Sequence, residues 1–201
     1  MTQVVSDQQE GTSPAFHLAD VVEKYHLCYS TTASCARQIQ LPAGANFPWI
    51  MVSYEGMCLP EQGWKLHIAA HERSAEAVLE RVLPILLTRP VMFKVIASQA
   101  YLTRLNEGLA GLSQIGKFIT IYPPNDAEAV RLASVLDEAT CGLFAPAIPS
   151  DRPLRPGSLI YYRYGGFQSR TVQTIWGDYQ MTLQTPDGER VADQRTIAYT
   201  P

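Results

Sequence analysis

No run of apolar residues in this 201-residue chain is long enough to span a membrane. The N-terminal stretch MTQVVSDQQEGTSP is polar and lacks the apolar centre of a signal peptide. A cytoplasmic protein with no membrane partner is therefore expected. Cysteine is scarce: Cys28, Cys35, Cys58 and Cys141 form no CxxC pair, which argues against a disulfide framework. Combined with His17 or His26 they have no zinc-site spacing, so free, mostly buried thiols are expected and no metal or other cofactor. Positive charge is also short, at 16 Lys and Arg against 19 Asp and Glu, a net −3. That balance gives no general attraction for nucleic acid, and any anion would have to be met by a local cluster of basic residues. Repeats and low-complexity blocks are absent. What remains is a chain 46% hydrophobic and 17% charged, which suits one globular domain with a real core.

The pattern along the chain mixes strands and helices. Residues 1–14 carry few apolar side chains and read as disordered. A short helix is expected around Ala19–His26. Strands are expected in FPWIMVSYEG (47–56), QGWKLHIAA (62–70), VMFKVIA (91–97), GKFITIYP (116–123) and SLIYYRYGGF (158–167). Helices are expected after Ser74 in AEAVLERVLPILL, with a kink at Pro84, in 98–109, and in AEAVRLASVLDEAT, capped by Asn125 or Asp126 and ended by Gly142. The proline-rich stretch 145–157 is expected to cross the surface. SRTVQTIWGDYQMTLQTPDGERV reads as two or three short strands with turns at Gly177 and Asp187-Gly188. This order predicts a single α+β domain over residues 15–195, its helices packed on a mostly antiparallel sheet or sheets, with 196–201 a tail or the start of a linker.

The second face of QGWKLHIAA is unusual. Side chains alternate across a strand, so Trp64, Leu66 and Ile68 share one side while Lys65 and His67 share the other. Lys94 shares its strand face with Met92 and Ile96. Lys117 opens KFITIY, Arg163 lies within IYYRYG, Arg170 follows seven residues later across a Gly-Gly turn, and Arg104 lies on the helix after Lys94. A lone strand cation is ordinarily solvated or ion-paired, and a lone histidine ordinarily hydrogen-bonded. The signal lies in the set. No carboxylates on the same strands match these cations, so a bound anion would relieve their repulsion, and guanidinium groups suit phosphate.

The segments QGWKLHIAA, VMFKVIA, GKFITIYPPND, SDRPLRPGSLIYYRYGGF and TPDGERVADQR, in this order over roughly residues 45–195, resemble the N-terminal lyase domain of class III and class IV lanthipeptide synthetases. Those domains are similar in turn to phosphothreonine lyases injected by pathogenic bacteria. The resemblance implies a metal-free β-elimination of phosphate from a phosphorylated precursor peptide, giving dehydroalanine or dehydrobutyrine. It also implies kinase and cyclase domains or proteins of the same pathway as partners. By position it implies Lys94 as general base, His67 as general acid and Lys65 as the second lysine of the same strand, which by its charge is a candidate to stabilise the enolate-like oxygen. Arg163 and Arg170 match phosphate-binding arginines and Tyr122 and Arg104 are further matches, while Lys117 is a candidate for phosphate or substrate binding by its charge and strand position alone. The chemistry agrees with the residues. Lysine is a poor base at its ordinary pKa of about 10.4, and Lys65, Arg163, Arg170 and apolar Met92 and Ile96 would push Lys94 toward neutrality. His67 would be protonated at useful pH, more so beside a phosphate.

The 201 residues contain no Gly-rich loop with a following lysine motif, no HRD and no DFG, so they carry no protein-kinase site of that kind. The alternative from another class is a non-catalytic phosphopeptide-binding module, which would need the arginines but neither Lys94 nor His67. A phosphatase would need a nucleophile or metal set that the sequence does not offer.

Overall fold

The computed structural model describes residues 37–40, 48–168, 171–173 and 176–194. The expected Ala19–His26 helix, Cys28, Cys35 and Arg170 lie outside these residues, as do the expected disordered N-terminus and the C-terminal tail.

The strands are β1 (Arg37–Gln40), β2 (Trp49–Tyr54), β3 (Gln62–Ala69), β4 (Met92–Ile96), β5 (Lys117–Tyr122), β6 (Arg152–Pro153), β7 (Ile160–Gly166), β8 (Thr171–Gln173), β9 (Tyr179–Gln184) and β10 (Arg190–Ala192). The α-helices are α1 (Ala75–Thr88), α2 (Gln99–Asn106) and α3 (Asp126–Ala139), and Leu112–Gln114 forms a 3-10 turn. A seven-stranded sheet has the order β1-β2-β4-β5-β3-β7-β6, and β10-β9-β8 form a smaller one. Every pairing is antiparallel. The fold is α+β, with helices packed on antiparallel sheets.

The alternation expected of β3 is present. Leu66 and Ile68 are buried in the core with Ile119, Ile121 and Ile160 from the flanking strands. Helix α3 packs across β3 and β7 and against α1. It buries Ala129, Leu132, Ala133 and Leu136 at helical spacing. Asn125 caps it through a side-chain bond from the Glu128 N–H, and Asp126 and Glu128 complement the positive end of its dipole. Helix α1 runs on through Pro84 and buries Val78, Leu79, Val82, Leu83, Leu86 and Leu87. Ser74 precedes it, yet its hydroxyl does not cap the helix: it donates to the Phe144 carbonyl at 2.7 Å and accepts from the His71 N–H at 3.0 Å.

Two departures from the sequence reading matter here. Cys58 and Cys141 are free, as expected, but exposed rather than buried, since each lies in a connection outside the sheet. The stretch 145–157 does not simply cross the surface. Ile148, Ser150 and Asp151 turn inward and are buried, and Arg152–Pro153 pairs with β7.

A candidate active site on the polar face of the sheet

The face of β3 opposite its core side carries the residues that the sequence singled out. Lys94 on β4 and His67 on β3 are both cross-strand partners of Thr120 on β5. They therefore lie on one row, two strands apart, with backbones separated by about 10 Å. One step along β3, Lys65 stands opposite Arg163 of β7. A β-bulge completes the set. Ile68 pairs with Ile119 but Ala69 pairs with Lys117, so Phe118 is the inserted residue. Without it Lys117 would share the core-facing parity of Ile119 and Ile121; with it Lys117 joins the face of His67.

These side chains line one cavity of about 220 Å³ with Ser113, Gln114, Thr120, Tyr122, Phe167, Gln168, Met181 and Asp193. Lys65, His67, Lys94, Lys117, Tyr122 and Arg163 are thus brought together from four strands. Arg104 is not among the lining residues: it is exposed on α2. The Lys94 ammonium sits 4.0 Å from the centroid of the buried Trp49 ring. The Lys65 ammonium lies 5.7 Å from the Tyr122 ring and 5.9 Å from that of Phe167, and those rings meet edge to face. Both lysines are held by cation–π contacts, which orient an ammonium without neutralising it.

Buried carboxylates supply the charge that the strands lack. Asp151, from the loop before β6, faces His67 Nδ1 through Oδ2. Its Oδ1 accepts from Lys117 Nζ at 2.9 Å and from Ser150 Oγ at 2.7 Å. Asp193, just after β10, accepts from Arg163 Nη2 at 2.8 Å. The sequence reading placed neither carboxylate in the site, because loops carry no face periodicity; Asp151 was visible only as the second residue of SDRPLRPGSLIYYRYGGF.

Burial pushes the His67 imidazole down from 6.5 to about 3; the Lys117 and Lys65 charges add to this, and the Asp151 contact opposes it. Burial therefore favours the neutral imidazole at neutral pH, and a nearby negative charge is needed to favour its acid form. Burial pushes Asp151 up, but its contacts with His67 and Lys117 outweigh this and hold it well below the usual carboxylate range. Asp151 stays ionised and fixes the ring through Nδ1, which leaves Nε2 as the nitrogen able to exchange a proton with a ligand. Among the described residues no group of three or more His, Cys, Asp or Glu side chains is placed to hold a metal ion.

Comparison with known proteins shows the family and the fold. The family model described as RamC, N-terminal domain, matches residues 35–201. The chain belongs to the RamC N-terminal domain family. A probable SapB synthase of Streptomyces coelicolor is 35% identical over 147 residues, which are 73% of this chain but 16% of that protein. The chain thus spans about a sixth of that relative's length. Among solved structures, the Chromobacterium violaceum VirA (SpvC) phosphothreonine lyase effector superposes with a TM-score of 0.50 at 14% identity, covering 72% of this chain and 85% of that one. OspF of Shigella flexneri, a type III effector and phosphothreonine lyase, gives 0.50 at 12% identity, covering 72% and 75%. A variant of the Salmonella plasmid virulence C protein gives 0.51 at 14%, covering 71% and 73%. This RamC N-terminal domain therefore has the fold of phosphothreonine lyases, and its polar sheet face is the one that holds the cavity. Among the described residues, no helix is long and apolar enough to cross a membrane.

Proposed function

We propose that this domain is a phosphoserine/phosphothreonine lyase that eliminates phosphate from a phosphorylated lanthipeptide precursor without a metal ion. The phosphopeptide would come from a kinase domain or protein of the same pathway, and the dehydrated product would pass to its cyclase. The observation that carries the reading is the row Lys94–Thr120–His67, with the one strand β5 between a candidate base and a candidate acid. Cations flank the gap at Lys65, Lys117 and Arg163. The probable SapB synthase relative and the phosphothreonine lyases that share the fold support the same choice.

Within this reading Lys94 acts as its neutral amine, favoured by the Lys65, Lys117 and Arg163 charges in the same cavity and opposed by the Trp49 ring, and its Nζ removes the Cα proton of the phosphorylated residue. The electron pair forms the Cα–Cβ double bond, the Cβ–O bond breaks, and phosphate departs. Arg163 and Lys117 meet its charge, and Lys65 sits where it stabilises negative charge on the adjacent amide oxygen. His67 protonates the leaving oxygen through Nε2. Its proton arrives with the substrate: the negative charge of a phosphate beside the ring raises the imidazole pKa against burial, and against the lesser Lys117 and Lys65 charges, that hold it down. A phosphomonoester loses its second proton near pH 6, so a monoanion can also hand that proton to the ring on entry.

The test is mass spectrometry of a phosphoserine peptide incubated with the protein in excess EDTA. Loss of about 98 Da, as H₃PO₄, is the expected result. Loss of about 80 Da would mean a phosphatase instead, and retention of the phosphate on a bound peptide would mean a binding module.

A further inference from the structure

The small sheet is more than an appendage to the site. The Gln62 side chain of β3 clasps the Gln184 backbone of β9, donating to its carbonyl at 2.6 Å and accepting from its N–H at 2.7 Å. Met181, three residues earlier on β9, lines the cavity and accepts the Asp193 N–H through its carbonyl at 2.8 Å. Asp193 in turn holds Arg163 Nη2, and the Gln194 carbonyl reaches the same nitrogen at 3.4 Å. Only 4% of the Arg163 side chain and 3% of the Asp193 side chain is exposed, so solvent does little to screen the pair.

We propose that Asp193 is a positioning residue for phosphate recognition, by which the small sheet sets the plane of the Arg163 guanidinium. The inference rests on the phosphopeptide reading above. Arg163 stands opposite Lys65, and Lys117 lines the same cavity, so like charges oppose its inward orientation. An arginine also has several rotatable bonds and loses entropy when fixed. A guanidinium is rigid and planar, so anchoring Nη2 at two acceptors fixes where Nη1 and Nε point as well. A lone carboxylate merely occupying the place of phosphate would not require a second, neutral acceptor from the same segment on the same nitrogen.

The readouts are the dissociation constant of inorganic phosphate and the KM and kcat for a phosphoserine peptide. Asp193→Asn is expected to raise the phosphate Kd and the peptide KM about tenfold with little change in kcat. Asp193→Glu should recover part of the loss. In an Arg163→Ala background, Asp193→Asn should change the phosphate Kd little further, since its effect runs through the arginine. Gln62→Ala unclasps β9 without altering a charge and should weaken phosphate binding in the same direction; it decides the matter if Asp193→Asn does not fold. Unchanged or tighter phosphate binding in Asp193→Asn would overturn the inference in favour of a counter-anion that substrate displaces. An undiminished tenfold effect without Arg163 would overturn it in favour of a role in folding alone. Failure of the unaltered protein to bind phosphate or phosphopeptide would remove the phosphopeptide reading and this inference together, whereas binding insensitive to Asp193 and Gln62 removes the inference only.

Discussion

Lys94, His67 and Arg163 are assigned different tasks, and substitutions should separate them. Lys94→Ala removes the proposed base, so elimination should fall below detection while phosphopeptide still binds. Arg163→Ala should weaken binding about tenfold to a hundredfold, the loss of a charge-assisted bond worth roughly 1.5–3 kcal/mol. His67→Asn should leave residual elimination, because phosphate is a tolerable leaving group and general acid catalysis contributes about a hundredfold to ten-thousandfold. Product formation and binding measured on the same peptide check this ordering; near-normal turnover by Lys94→Ala would transfer the base to Lys65. Asp151→Asn tests the buried ion cluster. It leaves Lys117 without its carboxylate in a site where Lys117 is 4% exposed. A destabilisation of about 3–5 kcal/mol in denaturant unfolding is expected. At this scale the sequence was legible where strand alternation applies: Lys65, His67 and Lys94 all lie on the face that parity assigns them. Lys117 reached that face only through the Phe118 bulge, which parity could not foresee. Asp151 and Asp193 were not legible, because a loop residue's direction is set by tertiary contacts rather than by period.

Among the elements, the turn into β5 couples local conformation to the site. Gly116 has φ +75°, and a Cβ added there would lie 3.0 Å from the Ala147 carbonyl oxygen and 3.0 Å from Ile148 Cγ1. Those residues belong to the loop that delivers Asp151, and the Asp151 N–H donates to the Ile148 carbonyl at 3.2 Å. Gly116→Ala therefore meets both a disfavoured backbone region, costing about 1–2 kcal/mol, and a backbone clash. Loss of stability by about 2 kcal/mol or more is expected in denaturant unfolding, together with reduced turnover as Asp151 shifts from His67. Unaltered stability with normal activity would show that the loop accommodates the methyl. The core elements and their types were readable from periodicity, since α1 and α3 each keep a single buried face and β3 keeps its apolar and polar side chains on opposite faces. Strand order was not, because the pairing of β3 with β5 and β7 depends on contacts distant in sequence.

Across the molecule, the polar cluster links stability to pH. A histidine in the unfolded chain takes up a proton near 6.5, but His67 in the folded protein does so only near 3. Between those values the unfolded state binds more protons, so stability falls as pH falls, by up to about 1.4 kcal/mol per unit. Asp151, depressed below its ordinary range, stabilises the fold above its unfolded pKa, and that contribution is lost at still lower pH. Denaturant unfolding of the ligand-free protein from pH 7 to pH 4 should show this slope, and His67→Asn should flatten it. A variant with the same slope as the unaltered protein would remove His67 as its source.

The position of β3 between β5 and β7 also has a consequence during synthesis. Gln62 and its partner Tyr164 are 102 positions apart, so β3 is made long before β7 can cover its second edge. Until then a strand with Trp64, Leu66 and Ile68 on one side leaves open amide and carbonyl groups toward the cytosol of an expressing cell, a template for unwanted pairing. A chain released at Ser150 would be trapped in that condition, without Asp151 to compensate Lys117 or Arg163 to meet phosphate. It should sediment into the insoluble fraction on expression, whereas a soluble fragment resistant to limited proteolysis would mean that the sheet closes without its last strands.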